Sequence, residues 1–295
     1  MTRKTTRFRF PLVAACLLAA AGLALTAAGP SSAPADGKAV VLEYRMPSGR
    51  ALTYRSSAEE AQIMDVMGQI IDTQTGGTST FTFTSKGRKD KDFLLGVTID
   101  DMTMNISSSV QGNMSPDMSG IKGKSFDMVL SPLGSEVDIT GAEALTYDIE
   151  AETRNLASSF KMYFPDLPGR SIDVGDTWPS SGVIEENTGM MSIRVDIQTV
   201  NTLEGFETID GMECARVSAE VKGAISGSGS QMGMDMTFAG TVSGKDVWYF
   251  AVKEGIYVKT TSESTSEMSV DVPAAGMTIP VTGTTKSEVM LTARK

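Results

Sequence analysis

The chain has 295 residues, 26 Lys plus Arg against 36 Asp plus Glu, no histidine and a formal charge of −10. Without imidazole there is no Ser-His-Asp or Cys-His catalysis, no HExxH zinc site and no histidine pH switch. The acidity speaks against nucleic acid, where Lys and Arg on phosphate supply most of the affinity.

The first 35 residues read as an address. Arg3, Lys4, Arg7 and Arg9 precede 19 uncharged, Ala- and Leu-rich residues from Phe10 to Ala28, followed by Ala33-Pro34-Ala35. This is the basic, apolar and small-residue pattern of a cleaved secretory signal, with cleavage after Ala35 or Ala28. The uncharged run also approaches the ~20 residues of a membrane span, but its Ala and Gly make a weak one. Leu12 to Cys16 resembles a lipobox, yet the apolar run continues past Cys16, so a lipid anchor there is the lesser alternative. The expectation is export to the periplasm or the extracellular space, with no membrane span after processing. Four basic and no acidic residues leave with the address, so 22 basic face 36 acidic ones, a charge of −14. Cys214 is then the one cysteine and reads as a small buried residue.

Beyond the address, period-two alternation dominates, the mark of half-buried strands. Strands are expected over 39–46, 51–57, 78–85, 93–99, 125–130 and 135–139. At Asp100-Asp101 the phase slips before Met102, Met104 and Ile106, which predicts a β-bulge or tight turn. The ambiguous segment 57–72 reads as two strands joined near Gly68. Thr140-Gly141-Ala142-Glu143 fits a capping box, and Leu145, Ile149, Leu156, Phe160 and Tyr163 share a helical face. This predicts a helix over 142–163, ended by Pro165. Strands follow over 191–197, 214–222, 232–242, 246–252, 255–262, 277–282 and 286–293. Turns are expected at Thr75-Gly76-Gly77, Ser131 to Gly134 and Lys253 to Gly255, and Ser226 to Ser230 reads as a flexible hairpin tip. The sum is a mainly β fold: an antiparallel meander forming an open or closed barrel with one central amphipathic α-helix.

The chain divides as 1–35 signal, 36–165 first half ending in the helix, and 166–295 second half. Pro47 to Arg50 and Pro168 to Arg170 open the halves 120 positions apart, and Lys124 to Gly134 echoes Lys245 to Gly255 at 121. Internal duplication and chance likeness of amphipathic strands both fit this.

The runs MVLSPLG ending at Gly134, VGDTW ending at Trp178, LEGFE ending at Glu207 and GMECA ending at Ala215 resemble an uncharacterised family of exported bacterial β-rich proteins, a domain of unknown function with many lipoprotein-like members. The resemblance implies a fold rather than a chemistry. The layout is similar to periplasmic lipoprotein carriers in architecture only.

Methionine is the compositional oddity, with 19 in the chain. Thioether sulfur suits Cu(I), but Met232, Met234 and Met236 on one strand face stand about 6.6–7 Å apart, too wide to share one ion. They read as lining of an adaptable apolar interior, together with Met102, Met104 and Phe238. The pairs Glu59-Glu60, Asp100-Asp101 and Glu185-Glu186 point to opposite strand faces and read as solvated charge. Ser226 to Ser230 is not GxSxG and has no histidine base. Trp178 and Trp248 are expected in the core. No catalytic residue, metal or cofactor is expected. The functional expectation is a non-enzymatic envelope protein that binds an apolar small molecule such as a lipid in a Met/Val/Ile-lined interior of at least ~300 Å³. The alternatives are a structural or adaptor protein with a fully packed core and an enzyme whose carboxylates converge in a cleft. Oligomeric state is left open.

Overall fold

The computed structural model describes residues 39–149, 152–231 and 233–295, so the address with Cys16, and also Met232, lie outside the described residues. Strands make up 71% of what is described. The first half contributes β1 (Val40–Val41), β2 (Ala51–Val66), β3 (Gln69–Lys89), β4 (Asp92–Ser108), β5 (Gly112–Met114), β6 (Ser125–Leu130), β7 (Glu136–Asp138), β8 (Thr146–Ile149) and β9 (Glu152–Asn155). The second contributes β10 (Ser171–Ile172), β11 (Thr177–Asn187), β12 (Met191–Ile209), β13 (Met212–Gln231), β14 (Met234–Ala251), β15 (Ile256–Val272) and β16 (Met277–Arg294).

One 12-stranded antiparallel sheet runs in the order β11-β12-β13-β14-β15-β16-β2-β3-β4-β6-β7, with β5 beside β4. The last strand therefore pairs with β2, and one sheet passes through both halves of the chain. The edge strands β7 and β11 do not pair with each other, so the sheet is curled but no closed barrel forms. Residues 146–149 and 152–170 span the gap instead. Glu136 of β7 accepts the backbone N–H groups of Met162 and Phe164, at 3.2 and 2.9 Å. On the other edge, Trp178 of β11 donates its indole N–H to the Asp166 carbonyl at 3.0 Å. Covering both edges removes the templates for unwanted strand pairing.

The expected central helix over 142–163 does not form. Its place is taken by a 3-10 turn at Thr140–Ala144, the β8–β9 hairpin and a second 3-10 turn at Ala157–Phe160. The capping box also fails: the first turn has no side-chain cap. Thr146, Ile149 and Thr153 are β-branched, and Asp148 and Asn155 compete for backbone hydrogen bonds, so helix propensity is poor. The same apolar residues still point inward, because Leu145, Ile149, Leu156 and Phe160 are all buried. A buried set at mixed spacing fits a hairpin flanked by turns as well as a helical face.

Other expectations fare variously. The bulge is present: Thr80 pairs with Asp101 and Phe81 with Ile99, leaving Asp100 as the extra residue. The join near Gly68 is a two-residue turn, with φ of 57° at Met67 and 84° at Gly68, the positive pair of a type I′ hairpin. The turns at Ser131 to Gly134 and Lys253 to Gly255 also occur. Thr75-Gly76-Gly77 is not a turn but lies inside β3, and Ser226 to Ser230 is not a tip but lies inside β13. Strands 277–282 and 286–293 are one strand, β16, and of 39–46 only β1 pairs. Mid-strand glycines explain the false turns. A Cβ at Gly240 would sit 2.4 Å from the Glu267 carbonyl oxygen, and one at Gly227 would sit 2.5 Å from that of Ser192. Only glycine lets neighbouring backbones crowd the concave face, so these residues set the curl rather than reverse the chain.

The concave face carries two apolar layers. One is aromatic and packs against residues 146–149 and 152–170: Tyr54, Phe81, Phe83, Phe126, Phe160, Tyr163 and Phe164 meet there, mostly edge to face. Trp178 and Trp248 join it as a T-shaped pair with centroids 5.9 Å apart. The other layer is aliphatic, built from residues such as Ile184, Ile193, Val195, Val221, Phe238, Met268 and Val281. Cys214 is fully buried and free, and burial pushes its thiol up to about 11. Among the described residues, no helix is long and apolar enough to cross a membrane.

Candidate ligand cleft

A cleft of about 260 Å³ lies between the concave sheet face and a cover formed by Tyr147, Arg154 and residues 158–166. Nine of the long strands contribute to it, because the curl brings β2, β3, β4 and β11 to β16 around one space. Phe81, Met102, Met104, Ile184, Ile193, Val195, Ile197 and Val221 supply apolar wall. A polar belt crosses the same face between the two apolar layers. In strand register it runs Ser264, Thr285, Glu60, Thr75, each paired with the next. These four side chains are all buried.

The belt meets a charged group from the inserted segment. Arg154 of β9 bonds Glu152 at 3.1 Å and Glu186 of β11 at 2.9 Å, and its side chain is 6% exposed. The hairpin places Glu152 and Arg154 two residues apart on one face, while β11 delivers Glu186 from the sheet edge. Glu60 faces the same cluster and is 9% exposed. Burial pushes its carboxyl up to about 8; Arg154 opposes the rise and Glu186 adds to it. Burial also raises Glu186, again against Arg154. On another wall, burial takes Asp246 up to about 7 against a hydrogen bond from Ser262. Glu136, at the gap, is raised to about 7 by the same cause. The Oε2 of Glu60 and the Oδ1 of Asp246 are out of solvent and accept no hydrogen bond.

The sequence-predicted residues divide between the two layers. Met102 and Met104 line the cleft. Met234 and Met236 pack against the aliphatic layer, and Phe238 is buried within it. Met232 lies outside the described residues. The reading of every acidic pair as solvated charge needs correction: Glu59 and Glu185 are exposed, but their neighbours Glu60 and Glu186 turn inward and meet at Arg154. The signal for this was present in the strand phase, since Glu60 shares its face with Leu52, Tyr54 and Met64. Asp100 and Asp101 both stay exposed, because the bulge takes them out of alternation. Among the described residues, no three Asp, Glu or Cys side chains gather as a metal site.

No known family profile matches the chain, and no curated protein is similar to it. Among solved structures, a Bacteroides fragilis protein presented as exported and YmcC-like in fold is similar at 9% identity and a TM-score of 0.30, over 86% of this chain and 99% of that one. A DUF1329 family protein from Desulfovibrio piger is similar at 9% identity and a TM-score of 0.15, over 81% of this chain and 86% of that one. At such scores neither likeness decides anything about the cleft.

Proposed function

We propose that the chain is a non-enzymatic cell-envelope protein that holds a small molecule with an apolar tail, such as a lipid, in the cleft beneath Tyr147, Arg154 and residues 158–166. The basic start, uncharged run and small-residue site of the first 35 residues support export. The carrying observation is the cleft itself: about 260 Å³ with a continuous aliphatic wall from Ile184, Ile193, Val195, Ile197 and Val221. Its volume falls just below the expected ~300 Å³ lower end of ligand sites, and its lining combines an apolar wall with a few placed polar groups as such sites do. A fully packed core, the expectation for an adaptor, leaves no such space.

A carboxylate enzyme has one observation in its favour, the meeting of Glu60 and Glu186 at Arg154. Glu186 is tied to Arg154 at 2.9 Å rather than free for proton transfer, so the binding reading is preferred. Its test is occupancy. Protein purified from envelope fractions carries an apolar molecule in native mass spectrometry, and the emptied protein binds the neutral probe N-phenyl-1-naphthylamine. Ile193→Trp, which fills the cleft, lowers probe affinity at least roughly tenfold, or about 1.4 kcal/mol. Unchanged affinity in a folded Ile193→Trp variant, or no binding by the wild type, refutes the reading.

A further inference from the structure

We propose that the polar end of the cleft takes the ammonium group of an amine-bearing amphiphile, with Glu60 as its principal acceptor; the inference rests on the apolar-tail reading above. Glu60 lines the cleft, is 9% exposed, and its Oε2 has no hydrogen-bond partner. A buried acceptor left unmade is costly, and a guest that supplies the donor recovers that cost. The Oδ1 of Asp246, on the same cleft's wall, lacks a donor in the same way. Once ionised, both carboxylates accept hydrogen bonds only, so a guest that draws off their protons must bring donors.

The guest's sign follows from what the carboxyl groups need on ionising, a counter-charge that the cleft's own cations do not spare. Glu60, Asp166, Glu186 and Asp246 line the cleft against two cations, Arg154 and Lys161. Arg154 is engaged by Glu152 and Glu186, and Lys161 stands in solvent. An anionic head group would have to break a buried ion pair and would then face Glu60. An ammonium brings three donors and no acceptor, and fits an acceptor surplus better than a hydroxyl, which brings one donor. The apolar wall at Ile193 and Val195 would take the tail. Since burial holds Glu60 protonated up to about 8, ammonium binding near neutrality releases a proton from the site.

Displacement of N-phenyl-1-naphthylamine by three guests of equal tail length tests this: dodecylamine, dodecanol and dodecanoate, each below its micelle-forming concentration. The amine should displace the probe at roughly ten- to hundredfold lower concentration than the alcohol, as a charge-assisted hydrogen bond implies, and dodecanoate should be weakest. Glu60→Gln should remove the advantage of the amine and leave the alcohol unchanged, which also shows that the variant is folded. Glu59→Gln, on the exposed face, should change neither. Equal displacement by amine and alcohol, or preference for dodecanoate, overturns the ammonium assignment while the apolar-tail reading stands. If no probe binds, that reading falls and the assignment with it.

Discussion

Glu60 makes the folded protein lose stability as pH rises through the neutral range. Its carboxyl is held up to about 8 by burial, against an ordinary 4.5 that the unfolded chain regains. Between those values the folded state keeps a proton that the unfolded state has released, so stability is full below the lower value and is lost towards the higher one. Each pH unit inside the window costs about 1.4 kcal/mol, and integration from pH 5 to 8 gives about 3 kcal/mol. For a chain of this size that is roughly 6–12 °C in Tm. Glu136 and Asp246, each raised to about 7, push in the same direction over a narrower window. Asp101, Asp176 and Asp196 are held low by hydrogen bonds, so their contribution is lost only as pH falls below the ordinary carboxylate range. They leave pH 5 to 8 to the raised groups. The assay is thermal and urea unfolding of the wild type, Glu60→Gln and Glu59→Gln across that range. Gln mimics the protonated acid, so Glu60→Gln should lie within about 1 kcal/mol of the wild type at pH 5 and gain a further roughly 3 kcal/mol on it by pH 8. Parallel stability curves for Glu60→Gln and the wild type would refute the argument that this carboxyl is neutral because it is buried.

Two further outcomes test the architecture. Arg154→Met should cost about 3–5 kcal/mol, because it leaves Glu152 buried and Glu186 half-buried without their counter-charge, and adding Glu152→Gln should recover part of the loss; denaturant midpoints decide it. Gly240→Val should cost at least about 1–3 kcal/mol by forcing β14 away from the Glu267 carbonyl, whereas Gly189→Ala, with open space around it, should fall within about 0.5 kcal/mol of the wild type.

Where alternation was clean, the sequence reported the fold faithfully. Met191, Ile193, Val195 and Ile197 share the concave face as their spacing implies, and the slip at Asp100-Asp101 is a bulge. Strand lengths were less legible, for a physical reason. The polar belt interrupts each apolar run in mid-strand, so β16 looks like two short strands around Thr284 and Thr285. Serine, threonine and glycine there serve the interior and the curl, yet in composition they look like a loop. The helix failed for a related reason. Leu145, Ile149, Leu156 and Phe160 say which side chains are buried, but not which backbone carries them. Propensity at Thr146, Asp148 and Thr153 would have favoured the hairpin.

The site was hidden by a pairing that sequence shows only from one side. In a strand, neighbouring residues face opposite ways, so a Glu-Glu pair places one carboxylate in water and the other wherever the opposite face leads. For Glu59-Glu60 and Glu185-Glu186 that face leads inside. An isolated carboxylate there would be prohibitive. It becomes tolerable because the β8–β9 hairpin delivers Arg154 across the open side of the sheet to Glu186, and because Glu60 keeps its proton. Both conditions depend on contacts between distant parts of the chain. The inserted segment therefore does two things at once: it spans the gap between the sheet edges, and it supplies the charge that lets carboxylates stand beside an apolar wall. A protein needing only a core would fill that space with leucine, at no cost in buried charge. Retaining Glu60 beside the cleft, with one oxygen unpartnered, is what the proposed ammonium site requires.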